Sequence, residues 1–364
     1  MKMPNEIICE EIAKNGVLTF ARFMELALYC PETGYYETER GKVGRGGDFI
    51  TSVSTGNLFG QLLAYRFGGW LSDQNRPSDY VIVEAGAHDG RLAHDVLTWL
   101  QSHRPDVFAD LKYCLLEPSP NRQRWQQETL EAFASHVRWA SDFSQLATGD
   151  SIESLPGRIN GIIFGNELLD AFPVHRFGWD KRRQRWFEWG VANQNGNLIW
   201  TQIDSPGLKA RYPELEPFLP DGYTIDTSPA AEKWWSQAAG ALEQGKLLTL
   251  DYGFTDGELF SPSRVNGTLR AYYRHHVTDD ILANPGEQDL TAHINFSTFQ
   301  KVGEAAGLTT ESFTTQAKFL TQILEQTQHC GTFGEWNSSR ARQFQTLTHP
   351  EHFGRAFRVL VQKR

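Results

Sequence analysis

From Tyr80 onward the chain alternates short apolar runs with amphipathic stretches. Tyr80-Val-Ile-Val-Glu84 is a β-branched run closed by a carboxylate, followed by a glycine turn and a helical pattern from about Leu92 to Gln101. Tyr113-Cys-Leu-Leu-Glu117 repeats the arrangement and leads into a helix over Asn121 to Ser135. Ile159 to Phe164 is a third buried strand, and Leu247-Leu-Thr-Leu-Asp251 a fourth, entered after a helix over Ala230 to Gln244. Buried strands separated by helices predict an α/β fold with a doubly wound, mostly parallel sheet.

Ahead of this region, residues 5 to 30 predict two helices. Ile7, Ile8 and Ile12 line the first, and Phe20, Phe23, Met24, Ala27 and Leu28 line the second, with Thr19 as its N-cap. Gly41 to Asp48 is too glycine-dense for a helix or a central strand and precedes a helix from about Gly56 to Leu71. Between the third and fourth strands, Arg185 to Val191 and Leu198 to Ile203 flank Asn195-Gly196, the signal of a β-hairpin. Thr268 to Phe296 is polar, His-rich and poorly periodic, and reads as a long functional loop. Helices over Phe299 to Gly307 and Phe319 to Gln326 and a strand over Phe357 to Val361 close the chain. The expected division is an N-terminal helical segment with its glycine-rich loop over 1–75 and the doubly wound domain over 76–364, carrying insertions at about 178–228 and 262–298.

At 364 residues the chain is long enough for roughly two domains. A 40% hydrophobic and 12% aromatic composition excludes general disorder. The longest apolar runs fall far short of the roughly 20 residues of a membrane span, so none is expected. A net charge of -9 argues against a broad phosphate-tracking surface, and no nucleic-acid partner is expected. The one dense basic cluster, Lys181-Arg-Arg-Gln-Arg185, reads as a solvated hairpin shoulder. Cys9, Cys30, Cys114 and Cys330 are far apart and form no C-x-x-C pair, which suggests neither zinc nor a disulfide framework. Met1 to Glu11 carries Glu6, Glu10 and Glu11 and matches neither a signal nor a transit peptide, so the expected location is the cytoplasm.

Val81-Ile-Val-Glu84-Ala-Gly86-Ala-His88-Asp-Gly90 is the most informative stretch. A strand delivering an acid into a glycine turn and a helix makes a nucleotide cradle, because glycine permits the turn and the helix N-terminus presents backbone N–H groups. An acid at Glu84 suits a ligand carrying positive charge, such as the ammonium and sulfonium of S-adenosylmethionine; a glycine turn that binds nothing is the alternative. Glu117, at the tip of the next strand, can accept from ribose hydroxyls. Asp142 either accepts from an adenine amino group or caps the turn that follows it. Asn166-Glu167-Leu-Leu-Asp170 lies just past the carboxyl end of a buried strand, where open α/β sheets bind substrate. Glu167 and Asp170, three apart, can aim two carboxylates at one cationic acceptor; the alternative is that Asn166 and Asp170 only cap a helix. Adjacent His275 and His276 cannot present both rings to one metal, and no metal is expected. No G-x-S-x-G, P-loop or H-E-x-x-H occurs.

Phe23-Met-Glu-Leu-Ala-Leu-Tyr-Cys-Pro-Glu-Thr-Gly-Tyr-Tyr36, Gly47-Asp-Phe-Ile-Thr-Ser52, Asn166 to His175, Asp251-Tyr-Gly253 and Gly286 to His293 together resemble the MidA-like family of class I S-adenosylmethionine-dependent methyltransferases. That family is related to the mitochondrial arginine methyltransferase that assists respiratory complex I assembly. The resemblance covers nearly the whole chain. It implies a Rossmann-like fold, S-adenosyl-L-methionine as cofactor and a protein arginine as acceptor. It matches Glu84, Gly86 and Gly90 to the cofactor turn, Glu117 to the ribose acid and Asp142 to the adenine-side acid. Asn166, Glu167 and Asp170 match the methyl-transfer motif, and Asp48 and His293 fall in matching segments that line it. One departure stands out: the family runs Gly-Pro-Gly-Arg-Gly where this chain has Gly86-Ala87-His88-Asp89-Gly90, placing His88 at a glycine position. The expectation is therefore an enzyme acting on a protein substrate. The alternative is a methyltransferase-like scaffold that binds a partner without turnover. A nicotinamide oxidoreductase shares the sheet but predicts a different ligand, and a homodimer is left open.

Overall fold

The computed structural model describes residues 2–38, 51–72, 80–146, 158–204, 213, 215–261, 264–273, 276–327, 332–333 and 336–364. Asp48, with the glycine-dense stretch before it, lies outside them, as do His275 and Cys330. The chain forms two compact units: Met1–Lys42, Asp170–Lys233 and Phe254–Ser297 make the first, and Val43–Leu169, Trp234–Gly253 and Thr298–Arg364 the second.

The second unit holds the predicted sheet. Its strands are β1 (Val81–Ala85), β2 (Lys112–Leu116), β3 (Val137–Ala140), β4 (Ile159–Asn166), β5 (Leu242–Phe254), β6 (Thr309–Thr315) and β7 (Phe357–Lys363), ordered β6-β7-β5-β4-β1-β2-β3. β1 to β5 pair in parallel, whereas β7 enters antiparallel between β5 and β6. All five residues of β1 are buried, as a parallel strand covered on both faces must be. Among the helices around the sheet are α1 (Leu58–Leu71), α2 (Arg91–His103) and α3 (Pro120–Thr129). Leu92, Ala93, Val96, Leu97 and Leu100 form one stripe of α2 and join a core with Phe59, Leu63 and Phe67 of α1 and with Ile82, Leu115, Phe164 and Leu248 of the sheet. Each such side chain contributes roughly 1.5–3 kcal/mol on burial. The strand order reverses between β1 and β4, and the carboxyl ends of these two strands define the crevice where open α/β sheets take ligands.

The first unit is built differently. Helix Pro4–Asn15 and helix Phe20–Tyr29, the latter capped by Thr19 Oγ1 accepting the Arg22 N–H at 3.2 Å, carry the expected apolar faces. The hairpin forms as predicted from Arg185–Gln194 and Asn197–Asp204, with Asn195 at φ 54° and Gly196 at φ 88° supplying the left-handed turn. It belongs to a larger antiparallel sheet with His175–Asp180, Thr224–Thr227 and Leu18–Thr19. The expected loop over Thr268 to Phe296 is corrected: Leu269–Tyr273 pairs with both His276–Thr278 and Asp289–Ala292 in a three-stranded sheet. These strands are only three to five residues long. That is too short to show a period, and one of the pairings joins segments well separated in sequence. Among the described residues, no helix is long and apolar enough to cross a membrane.

Candidate active site

Glu84 stands at the penultimate position of β1 with its carboxyl buried and accepting the Tyr113 hydroxyl at 2.5 Å. Burial pushes its pKa up to about 8; the Tyr113 bond opposes the shift and the Asp89 charge adds to it. Beyond β1 the backbone turns through three left-handed residues, Gly86 (φ 74°), His88 (φ 47°) and Gly90 (φ 85°), before α2 begins. A Cβ at Gly86 would stand 2.9 Å from Leu168 Cδ1. Asp89 is buried beneath the turn, its Oδ2 3.0 Å from Arg91 Nε and its Oδ1 accepting the Arg91 N–H. Burial works against its charge, but His88 and Arg91 prevail and hold it below the usual carboxylate range.

Glu117 follows β2 and is equally buried. Its Oε1 accepts the Ser119 N–H at 2.9 Å and faces Arg122 Nη2 at 2.8 Å, while Oε2 accepts from Gln126 Nε2 at 3.2 Å. Among the described residues, three of the roughly four acceptor positions of this carboxylate are taken. Asp142 is exposed. Its Oδ1 accepts the Ser144 and Gln145 N–H groups at 2.8 and 3.2 Å, and the Ser144 contacts hold its pKa down. That is the capping geometry, the second of the two readings left open for this residue.

At the end of β4, Glu167 adopts φ 52°, and its own N–H donates to Leu250 O at 2.9 Å. Its Oε1 accepts the Ser52 N–H at 3.0 Å and Asn166 Nδ2 at 3.1 Å. Asn166 Oδ1 is buried and, among the described residues, accepts no hydrogen bond. Two positions on, the Leu169 N–H donates to Asp251 Oδ2 at 2.8 Å, and Asp251 is wholly buried at the end of β5's core run. Ser52, Asp251 and Gln126 make these hydrogen bonds although their types alone do not announce them. For Asp251 the signal was present, since it closes a buried strand as Glu84 and Glu117 do.

Asp170 and His293 belong to the first unit. Asp170 is buried, and its charge acts on Tyr36 and Tyr272, whose phenols are raised first by burial. Tyr36 donates to Asp289 Oδ1 at 2.6 Å, and Tyr29, stacked on Tyr36 at 5.6 Å between centroids, donates to Ala171 O at 2.9 Å. His293 packs edge-on against Phe254 at 5.0 Å. Burial, then Arg270 and Arg264, lower its pKa to about 4, so it is neutral at pH 7 and a poor base there. Asn166 and Glu167 thus meet directly, on the strand beside that of Glu84, while Asp142 caps its own turn through Oδ1.

A family model described as "Putative S-adenosyl-L-methionine-dependent methyltransferase" matches residues 62–314. The chain is 27% identical over 313 residues to a mitochondrial protein arginine methyltransferase NDUFAF7 homologue of Caenorhabditis elegans, covering 80% of this chain and 69% of that one. It is also 27% identical to the mitochondrial NDUFAF7 of Homo sapiens, covering 81% and 67%. The crystal structure of a Burkholderia thailandensis protein bound to S-adenosyl-homocysteine superposes with a TM-score of 0.84 at 29% identity, over 99% of this chain and 92% of that one. The resemblance read from the motifs is therefore borne out. The cytoplasmic expectation is corrected: both of these curated relatives are mitochondrial proteins.

Proposed function

This chain belongs to the family of S-adenosyl-L-methionine-dependent methyltransferases, and from that membership we propose that its acceptor is an arginine of a protein substrate. The observation that carries the reading is the Asn166-Glu167 pair at the carboxyl end of β4, a carboxylate pinned by Ser52 and a buried amide oxygen that accepts no hydrogen bond among the described residues. The NDUFAF7 relatives, named as protein arginine methyltransferases, support the same acceptor.

The residues of the second unit fit the cofactor. The left-handed turn at Gly86 and Gly90 lets backbone N–H groups at the start of α2 approach a ligand closely. Glu84 would receive an ammonium, Glu117 a ribose hydroxyl, and Asp142, whose Oδ1 caps its own turn, the adenine side through Oδ2. Bound there, S-adenosylmethionine supplies an electrophilic methyl group on a sulfonium. Asn166 Oδ1 and the Glu167 carboxylate would accept guanidinium N–H bonds and turn one nitrogen toward that methyl. A guanidinium whose pKa exceeds about 12 is not deprotonated in advance, so carboxylates must take up its proton as the nitrogen is alkylated. Glu167 is assigned that task, its carboxylate already held by the Ser52 N–H and Asn166 Nδ2.

Mass spectrometry of arginine methylation in cells with and without the protein tests the reading. We expect specific methylated peptides to vanish on deletion and to return with the wild-type chain but not with Glu167→Ala. Full restoration by Glu167→Ala would overturn it in favour of a scaffold without turnover.

A further inference from the structure

Gln126 lies on α3, outside every motif considered above, and its side chain is completely buried. Its Oε1 accepts from Trp139 Nε1 at 2.9 Å. An indole nitrogen only donates, so this contact fixes which end of the amide is oxygen. The NH2 group then points the other way, donating to Glu117 Oε2 at 3.2 Å and to the His88 carbonyl at 3.1 Å. One amide thereby ties together β3, the acid after β2 and the left-handed turn after β1. The helix backbone presses on the same turn, since a Cβ at Gly90 would come within 3.3 Å of Gln126 Cα.

We propose that Gln126 is a positioning residue for the cofactor, locking the Glu117 carboxylate and the turn at His88 into one geometry so that ribose recognition and turn recognition operate together. The inference rests on the reading of Glu117 and Gly86 to Gly90 as cofactor contacts. Without the amide, Glu117 keeps its Oε1 partners but loses the donor that sets Oε2. His88 then loses the partner of its carbonyl at a backbone conformation that non-glycine residues rarely adopt.

The test is calorimetry with S-adenosylhomocysteine and its 2′-deoxyribose analogue on the full chain, comparing wild type with Glu117→Gln, Gln126→Leu and Gln126→Glu. Gln126→Leu removes all three bonds. Gln126→Glu keeps an acceptor for Trp139 and removes the donor facing Glu117, so it serves where the leucine variant does not fold. We expect either folded Gln126 variant to bind S-adenosylhomocysteine about tenfold more weakly, the loss of one or two hydrogen bonds. We also expect the wild-type preference for the intact ribose to shrink, a readout that mere loss of stability does not move. Binding within twofold of wild type and an unchanged ribose preference, with Glu117→Gln weakened, overturns the proposal and leaves the reading of Glu117 intact. If Glu117→Gln itself binds as wild type does, the reading of Glu117 fails and the proposal with it.

Discussion

The Ser52 N–H donates to Glu167 Oε1 at 3.0 Å, joining residues 115 positions apart. Glu167 pays for that placement with a left-handed backbone at φ 52°, a conformation that costs a non-glycine residue roughly 1–3 kcal/mol and that persists only where its surroundings enforce it. Here the enforcement is the Leu250 carbonyl on its N–H and the Ser52 and Asn166 donors on its carboxylate. Strain held at the end of a central strand, on a charged side chain, is the observation that motivates testing this carboxylate first.

Glu167→Gln therefore separates shape from charge. The amide retains an oxygen for Ser52 but cannot take up a proton from a guanidinium. We expect methyl transfer to an arginine acceptor to fall by about 10²-fold or more, in the range seen when one charge-stabilising group is removed. Affinity for S-adenosylhomocysteine, measured by calorimetry, should stay within threefold. Equal losses in both would assign Glu167 to cofactor binding instead.

Glu84 makes stability depend on pH. Its pKa is raised from 4.5 to about 8 in the folded chain, so between these values the folded state holds a proton that the unfolded state has released. Its stabilising contribution is fully present below about pH 4.5 and is lost as pH rises to about 8, an effect of up to about 5 kcal/mol. Glu84→Gln, which never ionises, should flatten the profile, checked by urea unfolding at pH 5.5 and pH 8. A ligand ammonium reaching the carboxyl should expel its proton, visible as a dependence of binding heat on the ionisation enthalpy of the buffer.

Much of this arrangement was legible in the sequence because it is local. Val81 to Gly90 announces strand, acid and turn within ten residues, and Asn195-Gly196 announces a hairpin whose register is set by its own turn. What was illegible depends on partners far away. Leu269–Tyr273 is a strand because Asp289–Ala292 pairs with it, and neither segment alternates long enough to say so. Asp142 could not be assigned from spacing, since an acid before a short turn serves equally as cap or ligand contact. Gln126 gave no signal at all: a glutamine on a polar helix acquires its role only when Glu117, His88 and Trp139 converge on it.

Asp251 anchors the turn after Asn166-Glu167, the pair proposed to orient the acceptor. It is fully buried and accepts the N–H groups of Leu169 at 2.8 Å and Tyr252 at 2.9 Å. Asp251→Ala strands both donors, and a buried donor left unsatisfied costs about 1–3 kcal/mol. We expect unfolding free energy in urea to drop by about 2–4 kcal/mol and methyl transfer to fall in the fraction that remains folded. Asp251→Asn, which can still accept from Leu169, should recover part of both losses; no recovery would mean that the charge, and not the hydrogen bond, matters.

His88 is the departure from the family's glycine pattern, and its geometry sets what its removal should do. At φ 47° the residue stands where glycine is favoured, so His88→Gly relieves about 1 kcal/mol of backbone strain. Glycine also frees the unfolded chain, at a cost of roughly 0.5–1 kcal/mol, which nearly cancels that gain. The bond from Gln126 runs to the backbone carbonyl and survives the change. The imidazole's contact with Trp125, 6.0 Å between centroids, and its support of the Asp89 charge are lost. The expected outcome is a stability change below about 1 kcal/mol and an S-adenosylhomocysteine affinity within twofold of wild type. A tenfold gain in affinity on calorimetry would instead show that the His88 side chain obstructs the cofactor, which makes this substitution the direct measure of whether the departure from the family pattern impairs the turn.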